Sequence, residues 1–247
     1  WDIMTHNTLA ARRLIQRVGS LPPERRMVRL GSEMLQGYTE KDWKSWWQQP
    51  HIQSHLENLF APVGEMARTL DVKISFHPGQ FCVLASDTPD IVERSIEEFE
   101  YHADMARWMG FGKSFQDGCK INVHISGRQG PDGIRKALPR LSQEARNLIT
   151  IENDEMGHGL EKSLELEKDL ALVLDIHHHW IRDEEYIEPT DDRVKRVIDS
   201  WRGQRPSMHY SYSRDEHLAV AGLGDKTHTE MHNIKDLLER GCKKQKL

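Results

Sequence analysis

The stretch DVKISFHPGQF (71–81) combines the sequence signals of a β-strand and of a turn. Its first half alternates apolar and polar side chains as a β-strand does, and the Pro-Gly pair that follows breaks the strand. A histidine, His77, therefore stands where the predicted strand ends. The segment 90–109, which follows soon afterwards, carries apolar side chains at helical spacing. The stretch thus predicts a β-strand followed by an α-helix, with an imidazole at the carboxyl end of the strand.

The same alternation of strand and helix recurs along the chain. Strands are predicted near residues 26–31, 72–77, 120–126, 148–153, 170–177 and 207–213, and helices near 5–19, 51–69, 90–109, 132–146, 160–168 and 191–201. This order predicts parallel strands joined by crossover helices. No glycine-rich phosphate fingerprint follows any predicted strand, so an α/β fold of the (β/α)8 TIM-barrel type is favoured over a doubly wound sheet. The chain has no linker-like tract or repeat, which predicts one domain over residues 1–247.

The composition argues against several classes of protein. No run of about 18 apolar residues occurs, and residues 1–14 lack the apolar segment of a secretory signal, so we expect no membrane span. The three cysteines have no paired spacing, which predicts free thiols and a reducing compartment. The net charge of −5 gives no general attraction to nucleic acid, although bound cations would remove the repulsion between clustered carboxylates and phosphate.

Histidines are frequent, with 14 in the chain, and their placement indicates a site. Five successive predicted strands each carry a histidine or a carboxylate at or near the carboxyl end: His77, His124, Glu152, Asp175 and His209. Taken singly, such a histidine is commonly a packed residue, and such a carboxylate commonly caps the next helix. In a barrel, all five share the face where active sites assemble. Carboxylates that lie so near to each other raise one another's pKa unless cations neutralise them. We therefore expect a divalent metal site with more than one ion. Mixed imidazole and carboxylate ligands suit Zn²⁺, Mn²⁺ or Fe²⁺ rather than Ca²⁺.

Five motifs resemble, in order, those of the UV damage endonuclease family: HPGQF, NVHISG, IENDE, LDIHHHW and HYSYSRD. The resemblance extends from about residue 27 to residue 215, and the fold and metals of that family are similar to those of endonuclease IV. It implies a DNA repair endonuclease that nicks double-stranded DNA on the 5′ side of UV photoproducts, namely cyclobutane dimers and 6-4 products, with abasic sites as a further candidate substrate. It also implies two or three divalent ions that activate water, with Mn²⁺ favoured and Zn²⁺, Mg²⁺ or Co²⁺ as alternatives.

The resemblance assigns metal ligands motif by motif. His77, His124 and Glu152 match one metal-binding set, in which Glu152 bridges to a neighbouring ion. Asp175 and His209 match ligands of that neighbouring ion. Glu152, Asp175 and His209 are accordingly the predicted catalytic residues.

Two further ligand positions leave alternatives open. The family pattern Asp-x-x-His-His places a ligand at His178, whereas strand alternation alone would pair Asp175 with His177. His178 is therefore preferred, and His177 is kept as the alternative. His228 is a candidate ligand of a third ion, as is His232, although an ordinary exposed histidine is the simpler interpretation of each.

Three residues are predicted to contact DNA. Gln80 and Phe81 match the loop pair that the family inserts at the lesion, where Phe81 would stack without the hydroxyl group of the more usual tyrosine. Packing on the barrel rim is the alternative for Phe81. Arg128 lies in a Gly-rich loop and could hold a DNA phosphate or remain solvated.

The chain departs from the family pattern in three respects. Ser207 occupies a position, two residues before the seventh-strand histidine, where the family often has a lysine near the metals. A late glutamate ligand on the eighth strand has no apparent counterpart, and residues 5–19 are predicted to be helical where a first strand is expected. We therefore expect a barrel that lacks its first and last strands within residues 1–247.

Three other functions remain open from the sequence: an abasic-site endonuclease of the endonuclease IV type, a metal-dependent sugar isomerase, and a non-catalytic protein that binds damaged DNA. The isomerase gives no role to Gln80 and Phe81. We expect a monomer that acts in the cytoplasm (nucleoid) if its source is bacterial or viral, and in the nucleus if it is eukaryotic.

Overall fold

The structure, a computed structural model, describes residues 1–210 of the chain. Its strands are Met27–Arg29 (β1), Lys73–Phe76 (β2), Cys119–His124 (β3), Ile149–Glu152 (β4), Ala171–Asp175 (β5) and Met208–His209 (β6). Its α-helices are Asp2–Gly19 (α1), Lys44–Trp47 (α2), Pro50–Thr69 (α3), Pro89–Trp108 (α4), Gly130–Ala137 (α5), Gln143–Leu148 (α6), Leu160–Leu164 (α7), Ile176–Asp183 (α8) and Asp192–Ser200 (α9). Short 3-10 helices span Pro23–Arg25, Lys41–Trp43 and Leu138–Arg140.

The strands form a parallel sheet in which each pairs with the next, from β1 to β6. The sheet curls so that β6 approaches β1. The Arg205 guanidinium donates to the Pro23 carbonyl oxygen at 2.9 Å, and Ser207 Oγ lies 3.7 Å from Met27 Sδ. This curled, parallel sheet with helices between its strands confirms the predicted α/β architecture of the TIM-barrel type, of which residues 1–210 provide six strands.

The alternation of side chains along the strands separates the core from the barrel interior. On β3, Ile121 and Val123 join the large hydrophobic core, and on β4 Ile151 does the same. The intervening residues of β3, Asn122 and His124, face the interior instead, because successive side chains of a strand point to opposite faces. The same strands therefore bury an apolar outer face under helices and present polar groups to the inside.

The two longest helices, α3 and α4, each bury one apolar stripe in the core. Gly64 of α3 lies where the backbone at Met109, just after α4, closely approaches α3. A Cβ atom at this position would be only 1.8 Å from the Met109 carbonyl oxygen. Within residues 1–210, no helix is both long enough and apolar enough to cross a membrane.

One predicted helix, over residues 132–146, is wrong as a single element. The structure has two helices there, α5 and α6, separated by a 3-10 turn. Pro139 lies in that turn and cannot donate a helical hydrogen bond. Ser142 then begins α6, because its Oγ accepts from the Ala145 backbone N–H at 3.1 Å.

The predicted strand over residues 170–177 is too long. Strand β5 ends at Asp175, and α8, which was not predicted, begins at Ile176. The cause is a helix cap: Asp175 Oδ1 accepts from the backbone N–H groups of His177 and His178 at 2.8 and 2.9 Å. Of the strand predicted over 207–213, the structure shows Met208–His209, and residues from 211 onwards lie outside the described part of the chain.

Replacing Gly64 with alanine should destabilise the fold, even though alanine favours a helix over glycine by about 1 kcal/mol. The added methyl group would overlap the Met109 carbonyl oxygen, and such overpacking typically costs about 1–3 kcal/mol or more. Chemical denaturation should give a lower midpoint for Gly64→Ala than for the parent chain. Glu65→Ala, at the neighbouring exposed position, is the control and should change the midpoint little. Equal midpoints for both variants would contradict this close approach.

Candidate metal centre

The site is organised around Glu152, whose carboxylate is buried at the end of β4 with 1% of its side-chain surface exposed. Each of its oxygens faces a different pair of imidazoles. Oε2 lies 3.3 Å from His77 Nε2 and 3.8 Å from His124 Nε2. Oε1 lies 2.8 Å from His209 Nδ1 and 3.5 Å from His178 Nδ1. A carboxylate placed in this way can bridge two cations.

His77 and His124 turn their Nε2 atoms towards each other, at a separation of 3.1 Å. The Nδ1 atom of each has an oxygen acceptor: the Pro78 carbonyl for His77 and Asp154 Oδ2 for His124, both at 3.0 Å. A neutral imidazole that donates its Nδ1–H keeps a lone pair on Nε2. In that form both lone pairs and a Glu152 oxygen converge on one point, where a cation would relieve their repulsion.

His178 is oriented in the same manner. Its Nδ1 lies 2.9 Å from the Asn153 carbonyl oxygen, and its Nε2 lies 3.3 Å from Glu155 Oε2. That Glu155 oxygen is buried and has no hydrogen-bond donor among residues 1–210. The nearby Nε2 cannot serve as a donor when the imidazole proton is on Nδ1. A buried acceptor without a donor is costly, and a bound cation would satisfy it.

Asp175 has two roles. Its Oδ1 caps α8, while its Oδ2 faces the site, 3.4 Å from His209 Nδ1 and 3.7 Å from His178 Nε2. The helix explains which histidine of the HHH run faces the site, because the residue three positions after Asp175 lies one turn further on. That residue is His178. The ring of His177 instead stacks on Trp180, with centroids 5.9 Å apart.

The electrostatics of the site couple its acids to its imidazoles. Burial opposes ionisation of Glu152, but hydrogen bonds from His209 and His77 outweigh it and hold the pKa of Glu152 far below its ordinary value. Burial is likewise outweighed at Asp175, whose pKa is lowered by its hydrogen bond with His209. Hydrogen bonds to Asp175 and Glu152 raise the pKa of His209 to about 9. Without metal, a proton on His209 thus balances part of the carboxylate charge.

Three groups of side chains within residues 1–210 have ligand atoms that all lie within 4.8 Å of one another: His77–His124–Glu152, His124–Glu155–His178 and Glu152–Asp175–His209. The groups overlap, because Glu152 and His124 each belong to two of them. Imidazole nitrogens mixed with carboxylate oxygens suit Mn²⁺ or Zn²⁺ better than Ca²⁺. The donor atoms therefore fit divalent transition-metal ions.

Two clefts open beside these groups. The rim cleft, of about 380 Å³, is lined by Arg29, Leu30, Gly31, Ser32, His77, Pro78, Gly79, Gln80, Cys82, Val123, His124, Ser126 and Asp154. The central cleft, of about 570 Å³, is lined by Met27, Arg29, Ser75, His77, His124, Glu152, Asp175, His178, Met208 and His209. A ligand in either cleft would meet the imidazoles of His77 and His124.

The three residues predicted to contact DNA have different surroundings. Gln80 lines the rim cleft, and Phe81 is 79% exposed beside it in the loop after β2. Arg128 is engaged with an acid, its guanidinium 3.2 Å from the Asp87 carboxylate. His228 and His232, the candidate third-ion ligands, lie outside the described residues.

Sequence reasoning missed Asp154, Glu155 and Asn122. The first two belong to the IENDE motif, from which only Glu152 was selected. Asn122 lies two residues before His124 on β3, and its side-chain amide donates to Glu152 Oε2. The available signal was local: three acids in one short motif, and a polar residue on the same strand face as a predicted ligand.

The cysteines lie apart from this chemistry. Cys82 and Cys119 are free and buried, and burial raises the pKa of each thiol to about 12. Neither is therefore a thiolate nucleophile near neutral pH. Cys242 lies outside the described residues.

Comparison with known proteins is consistent across sequence and structure. The family model described as UV-endonuclease UvdE matches residues 2–241. The chain is 29% identical over 195 residues to a UV DNA damage endonuclease of Bacillus velezensis, covering 73% of this chain and 57% of that protein. It is 28% identical over 190 residues to a UV-damage endonuclease of Schizosaccharomyces pombe, covering 72% and 31%. The chain thus spans less than two thirds of the length of these relatives.

A solved structure supports the fold independently. The crystal structure of SacUVDE superposes with a TM-score of 0.73 at 23% identity, and the match covers 86% of this chain and 71% of that one. The curled parallel sheet and its helices are therefore an architecture that also occurs in a protein of known structure.

The raised pKa of His209 predicts how the stability of the metal-free chain depends on pH. This pKa is about 9 in the folded chain against an ordinary 6.5, so between these values the folded state holds a proton that the unfolded state has lost. The stabilisation is complete below pH 6.5 and is lost as the pH rises through about 9. Thermal unfolding in EDTA should show this loss, and His209→Gln should reduce it. His51→Gln, at an exposed position on α3, is the control. Identical pH profiles for parent and His209→Gln would contradict the interaction.

Proposed function

The chain belongs to the UV-endonuclease UvdE family, and on that premise we propose that it is a metal-dependent endonuclease that cuts UV-damaged DNA. The observation that carries the proposal is the convergence of His77 Nε2, His124 Nε2 and Glu152 Oε2 within 3.8 Å of one another. Three lone-pair donors around one point have the geometry of metal ligands. The same carboxylate extends the arrangement to a second cation through its other oxygen.

Two or three divalent ions, with Mn²⁺ preferred, would be held by the three overlapping groups. His77, His124 and Glu152 would bind the first ion, and Glu152, Asp175 and His209 the second. The third group combines His124 and His178 with Glu155. When bound, such ions supply Lewis acidity, which activates a water molecule near neutral pH and neutralises charge on the phosphate.

The chain's own residues prepare the site for this chemistry. The Pro78 carbonyl and the Asp154 carboxylate hold the Nδ1 protons of His77 and His124, which keeps both Nε2 lone pairs directed inwards. The Asn122 amide fixes the bridging Glu152 carboxylate by donating to Oε2. In the proposed reaction, water adds to phosphorus, the bond from phosphorus to O3′ breaks, and O3′ gains a proton. The products are a 3′-hydroxyl and a 5′-phosphate on either side of a nick 5′ to the lesion.

The loop after β2 connects lesion recognition to the metal centre. Phe81 is 79% exposed and lies four residues after His77, next to Gln80 of the rim cleft. A UV-damaged dinucleotide is already poorly stacked, which makes it cheaper to displace than an intact one. We therefore assign Phe81 as a stacking wedge and Gln80 as its polar partner on double-stranded DNA. One barrel mouth suffices for this contact, so the active unit is a monomer.

The chain should nick a duplex that carries a single cyclobutane dimer when Mn²⁺ is present. The expected product is one cut on the 5′ side of the dimer, with a 3′ end that a DNA polymerase can extend. The measurement is gel separation of end-labelled strands, followed by primer extension from the nick. The undamaged duplex of the same sequence is the control and should stay intact.

No cutting of the dimer duplex at saturating Mn²⁺, where metal analysis shows that ions are bound, would contradict the proposed activity. A duplex with an abasic site separates the two nuclease functions. Faster cutting of that duplex than of the dimer duplex would favour the abasic-site endonuclease.

Glu152→Gln should remove the bridge between the metal-binding groups. The amide keeps the size of the side chain but lacks its charge, so the number of bound ions should fall by at least one per chain. Changing a residue that merely supports a metal ligand typically costs about 10- to 100-fold in affinity or activity, and a direct bridging ligand should cost at least as much. Elemental analysis and nicking rates measure the two effects. Glu57→Gln, an exposed position on α3, should change neither; an unaltered metal content in Glu152→Gln would contradict the bridge.

Phe81→Ala should slow the cutting of dimer-containing DNA without changing metal content. Stacking of a base on an aromatic ring is worth about 1–3 kcal/mol, which corresponds to about 5- to 150-fold in kcat/KM. Phe81→Tyr keeps the ring and should retain most activity, whereas Phe81→Leu keeps apolar bulk and should not. Equal activity of the Leu and Tyr variants would show that the ring does not stack.

A further inference from the structure

Arg29, the last residue of β1, is a cation beside an otherwise acidic and imidazole-rich site. It lines both the rim cleft and the central cleft, and no other lysine or arginine occurs among their described lining residues. Its side chain is exposed, and within residues 1–210 its guanidinium makes no hydrogen bond or ion pair. Arg128, by contrast, is partnered by Asp87 at 3.2 Å. The Arg29 guanidinium is thus available for a ligand that enters either cleft.

The register of the sheet explains where Arg29 lies. Arg29 pairs with Ser75 of β2, and Leu30 N donates to the Ser75 carbonyl oxygen at 2.9 Å. Ser75 and His77 are two residues apart and so share one face of the chain. Val28, between the two exposed residues of β1, is buried in the core. Arg29 therefore lies on the inner face, one strand away from a proposed metal ligand, at an interstrand distance of about 4.8 Å that an arginine side chain can span.

The charges around Arg29 define what ligand it suits. The central cleft contains Glu152 and Asp175, and the rim cleft contains Asp154. A DNA phosphate that enters the site meets these acids, and cations must offset the repulsion. Arginine carries a permanent charge and a planar fork of donors that matches two phosphate oxygens at once. The chemistry of the position thus favours a phosphate group over a neutral or cationic ligand.

We propose that Arg29 holds the two non-bridging oxygens of the scissile phosphodiester above the metal centre. The assignment rests on the proposed function and deepens it by naming the group that binds the reacting phosphate from the protein side. Charge on those oxygens increases as water adds to phosphorus, so Arg29 contributes more to the rate than to the affinity for uncut DNA. It acts as a catalytic residue by direct contact and needs no covalent step.

Arg29→Met tests the proposal, with Arg29→Lys and Arg13→Met as matched variants. Arg13 is an exposed arginine on α1 that lines neither cleft. Removing one preorganised donor of this kind typically lowers the rate by about 10²–10³-fold. In single-turnover cutting of the dimer duplex with saturating Mn²⁺, Arg29→Met should show this loss, while its Kd for uncut DNA should change less than tenfold. Arg29→Lys keeps the charge but not the fork and should be intermediate, and Arg13→Met should match the parent.

Chemical rescue separates direct contact from a merely structural role. Added guanidinium ions should raise the rate of Arg29→Ala, whereas sodium at the same ionic strength should not. Unaltered metal content in Arg29→Met excludes damage to the ligand groups. A rate for Arg29→Met within threefold of the parent, or an absence of rescue together with reduced metal content, would overturn the assignment.

Phosphate binding can be measured without DNA cutting, so the role of Arg29 can be tested even if the proposed nuclease function fails. If the parent chain binds Mn²⁺ but leaves the dimer duplex intact, the proposed nuclease function fails. Calorimetric titration of the Mn²⁺-loaded chain with inorganic phosphate then tests the role of Arg29 separately from the nuclease function. Phosphate affinity that falls about tenfold in Arg29→Met and not in Arg13→Met supports an oxyanion-binding arginine. Equal phosphate affinity in the parent and Arg29→Met rejects it.

Discussion

The buried carboxylate of Glu152 is the constraint on which the rest of the structure depends. An ionised group with 1% exposure is costly unless opposite charges and donors surround it. The fold meets this requirement by bringing four imidazoles and one amide to the end of β4, from four other chain segments. In the metal-free state His209, whose pKa is raised, supplies part of the balancing charge. Under the proposed function, divalent ions would supply it instead.

The alternation of side chains along the strands places three of these groups, Asn122, His124 and His209, while His77 follows β2 and His178 lies on α8. On β3, one face contributes Ile121 and Val123 to the core, and the other contributes Asn122 and His124 to the interior. Parallel strands end at the same face, so neighbouring strands deliver their polar ends together. Packing that fixes the core face of a strand therefore also fixes the positions of the site residues on its other face. This coupling explains how short strands, some of only two or three residues, can hold a defined site.

Much of this arrangement was predictable, and the exceptions have physical causes. Strand ends such as His77 and Glu152 follow from period-two patterning and parallel topology, which are local signals. The start of α8 was missed because the strand pattern of residues 170–177 continues past Asp175, whose carboxylate caps a helix. That cap selects His178 over its neighbour. The positions of Glu155 and Arg29 could not be predicted from the sequence, because they depend on a loop conformation and on the register between strands.

Anomalous diffraction from crystals soaked in Mn²⁺ would show whether both oxygens of Glu152 bind cations. We expect at least two anomalous peaks, each about 2.0–2.3 Å from a different Glu152 oxygen and from imidazole nitrogens of His77, His124 or His209. The Glu152→Gln crystal should lose at least one of them. Clear density for the side chains, with no anomalous peak beside Glu152 at saturating Mn²⁺, would show that this carboxylate does not bridge cations.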